Sequence, residues 1–262
     1  MPKQQTIRKY LPQNFETHRD VVERRRLNRE VLLAGGKRAC RLGRRLRACQ
    51  PGNRCGSEAC KVCLRTFRRE YLSAASPVFA SRPDWTRVSI IPSGFAISVG
   101  QLSSADLEKI VKHARKRLER SPHLRDRMVI GGIDVSLNQQ NNSVGHWQLH
   151  LYLLIEGKKT PKFKAAVKAA FPPEPTAARP YRFRAVDDFA AAASYAYKSI
   201  FTRRSAYLKD GKPRTRALPL KRQDEVELLS WLGRYKVGAR LILRGVRRNG
   251  SPLQLQPSKA KP

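Results

Sequence analysis

The sequence predicts an α+β chain whose middle part is a ferredoxin-like antiparallel sheet of split β-α-β-β-α-β order. Three observations carry this. Stretches between residues 86 and 186 alternate apolar and polar residues, intervening stretches repeat apolar residues at helical spacing, and their order along the chain is that of the split unit.

The elements follow in order. Residues 15–34 read as a helix, with Asn14 as its cap and Gly35-Gly36 as its stop. Residues 37–70 are dense in Arg and Cys and short of apolar periodicity, so they need a staple other than a core. Val88 and Ile90, then Phe95, Ile97 and Val99, alternate on either side of Pro92-Ser93-Gly94 and read as strand with a break. Ser103-Ser104-Ala105-Asp106 opens a helix whose apolar face is Leu107, Ile110, Val111, Ala114 and Leu118.

The stretch 129–137 alternates again, with Asp134 opposite its apolar face. From Trp147 to Glu156, Trp147, Leu149, Leu151, Leu153 and Ile155 take one face of a strand, and Gln148, His150 and Tyr152 take the other. Residues 162–171 form a Lys/Ala helix, 171–180 a Pro-rich loop and 181–186 a short strand. Asp187-Asp188 then opens a helix over 187–201. A charged loop (202–223), a helix (224–235) and a strand (237–246) follow.

The expected organisation is a basic N-terminal helix (1–36), a Cys-rich segment (37–72), the sheet domain with its appended helix (80–205), a basic helix-strand extension (206–250) and a disordered tail (251–262). Lys and Arg number 54 against 20 Asp and Glu, a net charge of +34. It divides as +13 over residues 1–70, +5 over 71–160 and +16 over 161–262, so the flanks are basic and the middle is close to neutral. Such a surplus repels itself unless phosphates neutralise it, which points to nucleic acid as the partner. In the first 70 residues Arg outnumbers Lys 15 to 4, which suits bidentate phosphate contacts. No apolar run approaches the roughly 18 residues of a membrane span. Met1-Pro2-Lys3-Gln4-Gln5 has no apolar signal region, so a cytoplasmic, nucleoid-associated chain is expected.

Two groups of residues carry chemistry. Cys49, Cys55, Cys60 and Cys63 stand at x5, x4 and x2 spacing, and four thiolates so close can surround a structural zinc. Cys40 is the spare thiol and an alternative to Cys49 as fourth ligand; the competing reading is a set of buried thiols. On the polar strand face, side chains two apart are roughly 6.7 Å apart at their roots, close enough to share an ion. His150 with Gln148 or Tyr152, plus Asp134 from the neighbouring strand, could therefore form a divalent-cation site, whereas His146 with His150 could not. On the helix 187–201, Phe189, Ala193, Ala196 and Ile200 make the expected buried stripe, with Tyr197 at its edge. Tyr195 and Lys198 lie three apart and off that stripe, where the ammonium favours a phenolate nucleophile.

Cys55-x4-Cys60-x2-Cys63 with Arg65 and Arg68-Arg69, then Trp147-Gln148-Leu149-His150-Leu151-Tyr152, then Tyr195-Ala196-Tyr197-Lys198, resembles the rolling-circle replication initiators of small plasmids, which are HUH endonucleases. The resemblance spans residues 40–205. It implies a ferredoxin-like nuclease domain holding Mg²⁺ or Mn²⁺, single-stranded or hairpin origin DNA as partner, and a 5′-phosphotyrosyl intermediate. Carried over, Tyr195 is the nucleophile, Lys198 its phosphate partner, and His150 and Asp134 are metal ligands. The chain departs from the family's W-H-P-H-x-H motif in having Gln148 and Tyr152 where histidines stand. Two other classes stay open: a catalytically inactive DNA-binding relative, and an RNA-binding protein.

Overall fold

The computed structural model describes residues 11–139, 145–209, 212–249 and 254–257. The chain is α+β. A mixed sheet runs in the order β5-β1-β4-β3-β6-β7. Its strands are β1 (Trp85–Ile90), β3 (Val129–Gln139), β4 (His146–Glu156), β5 (Tyr181–Ala185), β6 (Thr202–Lys209) and β7 (Lys212–Leu218). The short β2 (Ala96–Ser98) pairs with the start of β4, and β8 (Leu241–Arg244) pairs with the start of β3. Every pairing is antiparallel except β3 with β6.

The period-2 pattern of β3 and β4 gives the sheet two unlike faces. Ile133, Val135, Leu137, Trp147, Leu149, Leu151 and Leu153 face α4 (Leu107–Arg120) and α5 (Pro161–Ala170) in one buried cluster. That cluster runs on into α1 (His18–Leu33), α2 (Lys37–Arg47) and α7 (Arg222–Leu232). On the opposite face, Ile130, Tyr152 and Leu154 lie under α3 (Lys61–Ala80) and α6 (Phe189–Ala196), and the polar residues Asp134, Ser136, Gln148 and His150 are buried beside them. A two-stranded ribbon of β9 (Val246–Asn249) and β10 (Gln254–Pro257) packs on α3. Among the described residues no helix is long and apolar enough to cross a membrane.

Several expectations are corrected. Thr17, not Asn14, caps the first helix: its hydroxyl accepts from Asp20 N while the Asp20 carboxylate accepts from Thr17 N. A reciprocal pair satisfies two end donors where Asn14 would satisfy one. Residues 37–70 are not without a core. Helix α2 buries Ala39, Leu42 and Leu46, and the first part of α3 buries Val62, Leu64 and Phe67. The charged stretch after residue 201 is a hairpin, β6–β7, that extends the sheet through a parallel pairing of β6 with β3. Within the expected tail, residues 254–257 form β10, and the rest of it lies outside the described residues.

Candidate functional site

The polar sheet face floors a cleft of about 870 Å³. Gln148, His150 and Tyr152 on β4 line that floor; Asp134 on β3 is paired in register with His150, and Ser136 with Gln148, so both lie buried on the same sheet face beside it. At its edge the floor meets the C-terminal end of α6. That close approach depends on Gly132: a Cβ there would stand 2.5 Å from the Ala196 carbonyl oxygen. Helix α6 opens on Asp188, which accepts from Ala191 N, and ends at Ala196, five residues earlier than the apolar pattern predicts. Ile200 therefore lies past the helix and is 60% exposed rather than in a buried stripe. Tyr197 is fully buried, and Tyr195 is 45% exposed at the cleft.

Tyr195 stacks in a tilted geometry on Tyr152, ring centroids 4.7 Å apart. The Lys198 ammonium lies 5.4 Å from the Tyr195 ring centroid and 2.8 Å from an Asp134 carboxylate oxygen. Tyr195, Lys198 and Asp134 are thus brought together, although Lys198 follows the helix instead of sharing its face with Tyr195. Burial pushes the Tyr152 phenol up to about 12, so it stays protonated.

The residues expected to bind Mg²⁺ or Mn²⁺ do not fit that ion. The Asp134 carboxylate is already held by an ammonium, His150 Nε2 is bonded to Ser136 Oγ at 2.9 Å, and Gln148 Nε2 donates to the Leu149 carbonyl. A hard cation wants several oxygen ligands converging, and here the carboxylate's charge is already matched. Burial pushes the His150 imidazole down to about 4; Asp134 opposes this, while Arg204 and Lys198 add to it.

The cleft walls are arginine. Arg179, Arg182 and Arg184 come from β5 and the loop before it, Arg87 from β1, and Arg204 and Arg214 from the β6–β7 hairpin. Arg87 and Arg184 are direct cross-strand partners, a like-charge juxtaposition that destabilises a sheet by itself. One signal for this wall was in the sequence: Arg182 and Arg184 alternate around Phe183. Arg204 and Arg214 became visible only once residues 202–218 proved to be strands.

The cysteine cluster stands at the start of α3, with Cys60 as its cap and Cys63 in its first turn. The Sγ atoms of Cys49, Cys55, Cys60 and Cys63 all lie within 4.8 Å of one another. The contacts Cys49–Cys63, Cys55–Cys63 and Cys49–Cys60 measure 3.5, 3.7 and 3.7 Å. A ZnS₄ tetrahedron with bonds of about 2.3 Å has edges of roughly 3.8 Å, so the four sulfurs could hold a metal ion such as zinc. Cys40, on α2, is not in the cluster, which settles the fourth member as Cys49. Hydrogen bonds with Cys60 and Cys63 hold the Cys55 thiol far below its ordinary value, and the same hydrogen bonding to Cys55, with burial, pushes those two up.

No family model, curated protein or solved structure matches the chain.

Proposed function

We propose that the chain binds single-stranded DNA along the arginine-walled cleft and nicks and rejoins it through Tyr195, as an HUH-type replication initiator does. The observation that carries the reading is Tyr195 itself: an exposed phenol at an arginine-lined cleft, with the Lys198 ammonium beside its ring. The order β5-β1-β4-β3, antiparallel throughout, supports a ferredoxin-like split fold for residues 80–205. In the reaction, the Tyr195 phenolic oxygen bonds to phosphorus and the P–O3′ bond breaks. The phenolic proton passes to solvent, and the departing 3′ oxygen takes one from it. This transesterification leaves a 5′-phosphotyrosyl link and a free 3′-hydroxyl, with no oxidant or co-substrate. Lys198, positioned by Asp134, offsets the negative charge on the phosphate, and the cleft arginines hold the flanking phosphates.

Incubation with end-labelled single-stranded oligonucleotides tests the reading: a denaturant-resistant adduct carrying the label of the 3′ fragment is the expected product. A second reading, a DNA-binding protein that does not cut, draws on the Asp134–Lys198 ion pair standing where the family's metal ligand would be. Tight, salt-sensitive binding without any adduct would select it.

A further inference from the structure

We infer that α2 is a second nucleic-acid contact, separate from the cleft, and that it takes duplex DNA in the major groove. Its sequence is Lys37-Arg-Ala-Cys-Arg-Leu-Gly-Arg-Arg-Leu-Arg47, with no acidic residue. The buried positions are Ala39, Leu42, Gly43 and Leu46. Lys37, Arg38, Arg41, Arg44, Arg45 and Arg47 are all exposed. Among the described residues none of these six side chains forms an ion pair. Arg45 donates to the Gly233 carbonyl.

The neighbouring helix α1 shows what a solvated basic face looks like when it is neutralised from within: Arg26 is clamped by Glu23 and Glu30, at 2.7 and 2.5 Å. Helix α2 has no such partners. Its cations are spaced three and four apart (Lys37–Arg41–Arg45 and Arg38–Arg41–Arg44–Arg47), where like charges repel along a helix. Two of them sit in its first turn, where the helix dipole disfavours positive charge. Arg44, Arg45 and Arg47 in the last turn suit the dipole and Arg45 holds the Gly233 carbonyl, but no carboxylate among the described residues neutralises the row, and a polyanion would.

The distribution of charge around the helix selects the kind of polyanion. At about 100° per residue, the six cations spread over roughly half the circumference, opposite the buried stripe. Lys37, Arg41 and Arg44 mark the centre of that arc, with Arg38 and Arg45 on one flank and Arg47 on the other. A single strand can meet only one flank. A helix lying in a groove meets phosphates on both, and a helix about 10–12 Å across matches a B-DNA major groove about 12 Å wide. The surface is also remote from the cleft in the layering of the fold: α2 joins the cluster under the apolar sheet face, and the cleft opens on the polar face. The chain can therefore hold a duplex and a single strand together, as at the foot of a hairpin. The duplex contact requires neither Tyr195 nor the cleft arginines.

The test uses the full chain, a labelled DNA duplex of about 16 base pairs and oligo(dT), titrated over a range of salt. The Arg38→Gln/Arg41→Gln/Arg44→Gln variant alters only exposed side chains, and its fold is checked by circular dichroism. It should lose tenfold or more in duplex affinity near 0.1 M salt. Its log K against log salt slope should flatten by up to about 2.7, since each lost phosphate contact removes about 0.9. Its oligo(dT) affinity should stay that of the wild type, and the lysine triple variant should restore duplex binding. An Arg182→Gln/Arg184→Gln variant should show the reverse pattern. Wild-type duplex affinity and slope in the α2 variant would overturn the inference, as would duplex displaced stoichiometrically by oligo(dT). Duplex RNA bound in preference to DNA would overturn the choice of partner. Absence of a Tyr195 adduct bears on the cleft reading alone.

Discussion

The Glu58 carboxylate accepts a hydrogen bond from Arg240 Nε at 2.6 Å, with both side chains fully buried. The pair joins two distant parts of the chain. Glu58 lies between Cys55 and Cys60, and its other oxygen accepts from the Tyr197 hydroxyl at 2.7 Å and from Gly238 N at 3.2 Å. Arg240 donates onward to the carbonyls of Ile133 and Lys198, at 2.9 and 3.0 Å. Those two backbones carry the neighbours that matter: Asp134 follows Ile133, and Lys198 is the ammonium beside Tyr195. The cysteine loop is thereby tied to the geometry of the cleft through a single buried ion pair.

Glu58→Gln keeps the shape of that side chain and removes its charge, leaving a buried guanidinium uncompensated. Breaking one side of a buried pair typically costs about 3–5 kcal/mol. Urea unfolding of the variant should show a midpoint lowered accordingly with the m-value kept. A wild-type midpoint would mean that the pair adds nothing to stability.

Zinc should be found at one ion per chain in protein purified without chelator, measured by elemental analysis. Cys60→Ser should abolish it and unfold the segment containing α2 and the start of α3, because Cys49, Cys60 and Cys63 are buried among that segment's apolar contacts. Cys40→Ser should keep the full metal content, since Cys40 lies outside the cluster. Metal-free wild-type protein with an intact fold would sink the assignment.

The two-faced strands were legible in the sequence because period 2 needs no tertiary information. Asp134 and His150 were placed on one face from alternation alone, and the register pairs them. The cysteine spacing was equally local. What escaped was decided by tertiary contacts. Helix α6 ends at Ala196, where its carbonyl lies against Gly132 of β3, a tertiary contact no helical pattern contains. Strands β6 and β7 carry Arg203, Arg204, Arg214 and Arg216, which hides their alternation, and they are recognisable only through the pairing of β6 with β3 and β7 with β6. The Lys198–Asp134 contact, which engages the carboxylate expected to bind metal, joins residues 64 positions apart and has no sequence signature.

Acid should weaken the fold through His150. Its folded value is about 4, below the ordinary 6.5, because burial disfavours the imidazolium. The unfolded chain then binds the proton more readily, so this stability is fully present above about pH 6.5 and is lost as pH falls toward 4. If the whole shift is expressed, the loss is on the order of 3 kcal/mol. Thermal unfolding between pH 4 and pH 7 should show a steeper decline for the wild type than for His150→Gln. Parallel profiles for the two proteins would remove His150 from the account.

Of the tyrosines on β4 and at the end of α6, only one suits attack on phosphorus. Tyr197 is fully buried, its hydroxyl committed to Glu58 and Gly238 N, and burial raises its pKa well above the ordinary phenol. Tyr152 is buried and held near 12 by its surroundings. Tyr195 is half exposed beside Lys198. Tyr195→Phe should therefore abolish the covalent DNA adduct while leaving oligonucleotide affinity within about twofold, because the ring still stacks on Tyr152 and only an exposed hydroxyl is lost. Tyr197→Phe should instead lower stability by roughly 1–3 kcal/mol, through the loss of its buried hydrogen bond to the Glu58 carboxylate, and leave adduct formation in the folded protein intact. Lys198→Met should reduce adduct formation by about 10²-fold or more, the scale of removing one electrostatic donor from a reacting phosphate. An adduct formed equally well by Tyr195→Phe would defeat the assignment, and mass mapping of the labelled peptide would then name the tyrosine that attacks.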